Sequence, residues 1–246
     1  MTAPSFTTVL AVEVRKLRRS LAAMIAVAAP SIIAVFLFFN VVRMNKAVPW
    51  FVWMGNMTGL WAAFMLPLSI TALTALMAQM EHAPKSWDHL RALPMPRWMP
   101  YAAKLLCTAM LTAAMSVILL MLGVAAVEAA ALVKPAIAPT GTLQLAVVAT
   151  TLLKMYFSSL LMTAIQLWLA IRFVSFVPAM ATGIAGAFFA MVASGAWQGV
   201  FLPWQMPINM MAKDPWAVNT ALMLGMGGGA IASVFLILHL AKREVL

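Results

Sequence analysis

Glu81, His82, Asp88 and His89 bring two carboxylates and two imidazoles into one short stretch, residue types that could hold a divalent metal. Their spacing does not match helix-face chelation of the H-E-x-x-H kind, and no metal site is expected. Only four further acids exist in the 246 residues: Glu13, Glu128, Asp214 and Glu244. Hydrolysis inside the apolar stretches would need a Ser/His or paired-Asp arrangement there, and neither is present. The phosphate cradle G-x-x-x-x-G-K-[ST] is also missing, so this chain cannot bind ATP in a P-loop by itself. Gly225, Gly227, Gly228 and Gly229 form a glycine-rich run without the lysine, which suits close helix packing instead. The single cysteine, Cys107, excludes an intrachain disulfide and a Cys-based cluster, and is expected as a small buried hydrophobe.

Lys154 is the one charge placed well inside an apolar stretch. Thr151, Lys154 and Ser158 fall on one helical face and could line a substrate path. An ionisable residue at such depth costs about 3 kcal/mol on insertion scales and is a functional hypothesis by default. The competing explanation is snorkelling, with the ammonium reaching the headgroups; Glu128 is a candidate partner. A motor-independent secondary transporter or channel would use Lys154 as its coupling residue, but such proteins carry inverted repeats, and none is evident here.

The elements around these residues follow from hydropathy. With 65% hydrophobic and 9% charged residues, the chain exceeds what a soluble domain of this size could bury. Continuous apolar runs exclude a barrel. The expected fold is an all-α membrane protein, one transmembrane domain over 1–246, with six spans at 21–42, 57–80, 105–127, 143–171, 176–195 and 217–240. A signal peptide is rejected because the first run is too long for an h-region. Pro30 is expected to kink the first span.

Six spans leave both termini on one side. On that side lie Arg15, Lys16, Arg18, Arg19, Lys85, Arg91, Arg97, Lys104, Arg172, Lys242 and Arg243, against Arg43, Lys46, Lys134 and Lys213 opposite. The positive-inside rule makes the first side cytoplasmic, and accounts for the net charge of +10 without a nucleic-acid partner. The basic segment 13–19, with Glu13, Arg15, Lys16, Arg18 and Arg19, is expected as an amphipathic helix on the anionic leaflet.

The polar loop 81–104 is therefore cytoplasmic. Pro84 suits the first turn of a helix, and Pro94 and Pro96 end it. Trp87, Leu90 and Leu93 would form its apolar face, with Lys85, Asp88 and His89 opposite. A helix of two turns is marginal alone and must pack on something. The pattern Glu81…Trp87…Leu90…Leu93-Pro94…Arg97, followed at once by a span, resembles the first cytoplasmic loop of ABC-2-type exporter permeases. It is most similar to the small permeases of lantibiotic-immunity and bacitracin-resistance transporters, although Lys85-Ser86-Trp87 stands where many members have Gly-Thr.

The resemblance implies that 84–93 is a coupling helix seated on a separate ABC ATPase subunit, which would bind ATP and Mg. Glu81, Lys85, Trp87, Asp88, Leu90, Arg91, Leu93 and Arg97 would make or support that contact. Segment 13–19 would be an interface helix against the same motor. A second permease copy or a related permease would complete the path in the cytoplasmic membrane of a bacterium. The cargo would be an amphiphile: a lantibiotic-like peptide, an antibiotic or a lipid. Segment 197–216, with Trp197, Phe201 and Trp204 at headgroup level, would be an external re-entrant hairpin before the last span. A pair of flat interfacial helices is the alternative.

Overall fold

The computed structural model describes residues 4–193 and 196–242. Gly195, the expected end of the fifth span, and Arg243, counted with the cytoplasmic charges, lie outside the described residues.

Local chemistry sets the helix ends. α1 (Phe6–Leu17) begins at Ser5, whose hydroxyl accepts from Thr8 N at 3.3 Å, and carries Arg15 and Lys16 in its last turn, where the helix dipole favours cations. α2 (Leu21–Arg43) is capped in the same way by Ser20, and stays helical through Pro30 without a break. α3 (Trp50–His82) is longer than the expected 57–80. It holds a π turn at Trp61–Met65, just before Pro67. Proline has no N–H to offer and its ring crowds the carbonyl four residues back, so a widened turn there relieves both defects. α4 (Trp87–Ala92) is the short loop helix. α5 (Met99–Val133) extends beyond the expected 105–127 at both ends.

The expected fourth span is not one helix. α6 (Leu145–Ser158) and α7 (Leu160–Arg172) meet at Ser159 with a 41° bend. Ser158 and Ser159 donate to the carbonyls of Met155 (2.9 Å) and Tyr156 (2.7 Å), a back-bonding pattern that bends helices. α8 (Val177–Val192) follows, then a 3-10 turn at Trp197–Phe201 and the one-turn α9 (Met206–Asn209). α10 (Pro215–Lys242) starts on an Asp214 cap and contains a second π turn at Leu224–Gly228.

α3 is the central helix: Trp61, Leu66, Ile70, Leu73 and Met77 are fully buried. α2 lies along α5, α7 packs between α3 and α10, and α8 closes on α3. The outside of the bundle is apolar too, as Val27, Val35, Phe36 and Phe39 of α2 show. An apolar exterior is stable only in hydrocarbon. Four helices are long and apolar enough to cross a bilayer, five if α6 and α7 form one bent span, and α8 is a shorter apolar helix of 16 residues. The protein is a multi-pass, all-helical membrane protein.

Candidate functional site

The charged groups singled out in the sequence meet at one end of this bundle. Glu13 projects inward from α1, Glu81 sits in the last turn of α3, and Lys104 lies near the start of α5. Lys16 Nζ is 2.6 Å from both Glu13 Oε1 and Glu81 Oε1. Lys104 Nζ is 2.8 Å from Glu13 Oε2 and 3.0 Å from Glu81 Oε1. Each lysine therefore bridges both carboxylates, and the four charges close into a neutral ring. Glu13, Glu81 and Lys104 are buried, Lys104 completely, while Lys16 keeps a partly exposed edge.

Burial works against a charge on Lys16. Hydrogen bonds and attraction from Glu13 and Glu81 outweigh it and hold the ammonium's pKa above the ordinary lysine value. Such a ring is costly to break from one side, because the remaining charge is left buried without a partner.

The ring extends into the loop helix. The second oxygen of Glu81 accepts the Ser86 hydroxyl, and Ser86 N donates to the Glu81 carbonyl at 3.0 Å. Ser86 is the residue before α4, so the carboxylate that binds both lysines also holds the entry to the loop helix. Lys85, one residue earlier, turns the chain in the left-handed region at φ 53°. This turn shortens the helix relative to the expected 84–93: Pro84 and Lys85 lie in the turn, and Leu93 is already extended.

Trp87 of the loop helix points into the bundle. It is buried against its own chain, stacked on Tyr101 with ring centroids 5.6 Å apart, and Lys104 Nζ lies 5.9 Å from its ring. Its indole N–H donates to His82 Nδ1 at 3.1 Å. An indole nitrogen can only donate, so His82 Nδ1 bears no proton. The imidazole proton is on Nε2, 3.1 Å from the Ala170 carbonyl at the end of α7. Gln79 Nε2 adds a bond to the Val174 carbonyl at 3.0 Å. The loop helix is thus pinned to α3, α5 and α7 together. Leu90 is half-buried, whereas Lys85, Asp88, His89 and Leu93 face outward with Arg97, and Arg91 is half-buried.

Segment 13–19 meets the bundle in the same place. α1 packs on α5, with Phe6 stacked on Trp98 at 5.6 Å. Glu13 and Lys16 are engaged in the ring, whereas the charged groups of Arg15, Arg18 and Arg19 are exposed. Lys104, by sequence one of the cytoplasmic charges, is the buried hub of the ring. The signal for its role was its place at the edge of a span, in a chain with so few acids to pair with.

The expected stripe of Thr151, Lys154 and Ser158 does not form one lining. Thr151 borders a cavity at the other end of the bundle, Lys154 is exposed with no hydrogen bond or ion pair among the described residues, and Ser158 is fully buried at the α6–α7 break. Glu128 is exposed and does not meet Lys154. In segment 197–216, Trp197, Phe201 and Trp216 form an exposed aromatic cluster with centroids 6.3–6.4 Å apart. Trp204 packs inward on Gly186. The histidines and carboxylates of the loop do not converge on a metal: His82 is buried against Trp87, and His89 faces outward.

A protein-family model described as "ABC-2 family transporter protein" matches residues 9–194, well over half the chain. The chain belongs to the ABC-2 transporter family. No curated protein and no solved structure matches it. The match begins within α1 and runs past α8, so the entire charge ring of this ABC-2 protein lies inside it. Proteins of this family are membrane components of transport machines, and the family implies an ABC ATPase as the general partner.

Proposed function

We propose that this chain is the transmembrane permease subunit of an ATP-driven ABC exporter in the cytoplasmic membrane of a bacterium. A separate ATPase subunit would bind ATP and Mg, and a second copy or a related permease would complete the path. The cargo is an amphiphile, such as a lantibiotic-like peptide, an antibiotic or a lipid. In this reading α2, α3, α5, the α6–α7 pair, α8 and α10 are the six spans, both termini are cytoplasmic, and segment 197–216 is the external hairpin. The charge asymmetry along the sequence favours that orientation.

The observation that carries the proposal is the direct tie from the loop helix to three membrane helices. Glu81 holds Ser86 and both lysines, and Trp87 joins α5 and, through His82, α7. A displacement imposed on α4 cannot be absorbed by a slack loop, since buried ion pairs and a stacked tryptophan connect it to the spans. α4 then works as a lever, and its free face, Lys85, Asp88, His89 and Leu93, is where a motor would push. Arg15, Arg18 and Arg19 offer a second, basic contact beside it.

The deciding experiment is copurification of the tagged permease with an ABC ATPase from its native cells. Asp88→Ala combined with Leu93→Ala should leave the permease folded while the ATPase is lost and transport stops. Full retention of a coupled ATPase by that variant would defeat the assignment, as would failure of the wild-type protein to bring down any ATPase.

A further inference from the structure

At the end of the bundle opposite the charge ring, a cavity of about 570 Å³ opens between α3 and α6. That volume lies in the range of ligand pockets. Its floor comes from one face of α3 (Trp50, Met54, Gly55, Thr58), one face of α6 (Val147, Val148, Thr151), and Met210 and Met211 beyond α9. The loop 140–144 forms the mouth and is fastened to α3: Trp50 N donates to the Thr140 carbonyl at 3.1 Å, and Thr140 N to the Val48 carbonyl at 3.3 Å. The cavity is therefore framed by bonded backbone and not by a slack loop.

Its polarity is graded. The two hydroxyls in the walls are already engaged: Thr58 Oγ1 donates to the Met54 carbonyl at 2.8 Å, and Thr151 Oγ1 to the Val147 carbonyl at 2.8 Å. Apart from the Trp50 indole, the floor side chains thus present carbon and thioether sulfur, and the methionines can adapt to an irregular chain. Thr142 and Gln144 at the mouth are exposed. An apolar floor below a polar mouth, beside two membrane helices, matches one class of molecule: a hydrocarbon chain carrying a polar headgroup. We infer that this cavity binds the tail of a single-chain amphiphile, with its headgroup at Thr142 and Gln144. The inference goes beyond the exporter reading and requires no motor. A free fatty acid and a lysophospholipid share this chemistry.

The test is photolabelling of the purified protein in phosphatidylglycerol nanodiscs. One arm uses palmitic acid with a diazirine at the chain end, and the other uses the corresponding lysophosphatidylethanolamine. Adducts are mapped by mass spectrometry. Labelling of the peptides that carry Met54 and Met210–Met211 is expected in at least one arm, and the arm that labels identifies the source. Gly55 provides the decisive variant, because a Cβ there meets nothing within 4 Å, so Gly55→Leu grows into the cavity. It should lower labelling about tenfold or more by taking the space of several methylenes. A Cβ at Gly227 also meets nothing within 4 Å, but this position lies away from the cavity, so Gly227→Leu should label as wild type. Thr151→Leu narrows the cavity from α6 and gives a second route should Gly55→Leu fold poorly. Adducts confined to other surfaces, or equal labelling in all variants, would overturn the inference. So would disulfide-linked dimers through a cysteine at the exposed lip residue Phe51 together with no labelling, because a second copy would then cover the mouth.

Discussion

Lys104 Nζ stands 3.0 Å from Glu81 Oε1, and through this contact the start of α5 holds the last turn of α3. The lysine is completely buried and reaches Glu13 as well, so removing its charge leaves two buried carboxylates sharing one partly exposed lysine. Lys104→Met should destabilise the protein by about 3–5 kcal/mol. Lys104→Met with Glu81→Gln restores the charge balance and should recover much of that loss. Thermal unfolding of the detergent-solubilised variants measures both, and a double variant no better than the single one would contradict the ring.

Trp87 and the outer face of α4 should separate cleanly in mutagenesis. Trp87 is buried on Tyr101, and Trp87→Ala should cost about 3–5 kcal/mol in stability. Asp88→Ala changes an exposed side chain and should stay within about 0.5 kcal/mol. Its effect should appear only in ATPase binding and transport. Equal destabilisation by both would mean that the loop helix presents a different face.

At neutral pH the docking of α1 should not depend on pH, but it should weaken in strong alkali. The Lys16 pKa is raised in the folded protein, so its contribution is complete below the unfolded lysine value, about 10.4, and is lost as pH rises through the higher folded value. A nitroxide at Leu10, in a Cys107→Ser background, should remain immobilised through pH 9 and loosen only above about pH 10.5. Lys16→Arg, whose guanidinium keeps its proton there, should hold the label immobile at higher pH.

Gly225 sits where α10 passes closest to the α6–α7 break. A Cβ at Gly225 would lie 2.4 Å from Ser158 Cα and from the Ser158 carbonyl oxygen, and backbone atoms cannot move aside as a flexible side-chain end can. Gly225→Ala should cost about 1–3 kcal/mol. Gly227→Ala, in the same π turn with open space around it, should be neutral or slightly stabilising. The pair can be compared by thermal unfolding in one detergent.

The membrane class, the existence of the principal helices and the short helix between Pro84 and Pro94 were all legible in the amino-acid order. Hydropathy, proline placement and charge asymmetry are local properties, and they act before any helix meets another. The likeness to ABC-2 permeases rested on such local features too, and the family match supports it at the level of the family. The helix ends moved: α3 starts at Trp50 and α5 at Met99, each ahead of the expected span, because apolar residues before the span pack inside the bundle and continue the helix.

What the tertiary structure decided was pairing. Glu13 and Lys104 are 91 residues apart, and their attraction is strong only once both have left water, which happens when α1 lands on α5. For the same reason the inward turn of the acid on the amphipathic helix α1 could not be read from its sequence. Trp87, on a helix that by sequence had to pack on something, has its apolar partner in Tyr101 of its own chain. The bend at Ser159 has a local origin in its serines, but the close approach of Gly225 to Ser158 exists only in the assembled bundle. Local order chose the elements; the desolvated charges and close contacts between them exist only in the assembled fold.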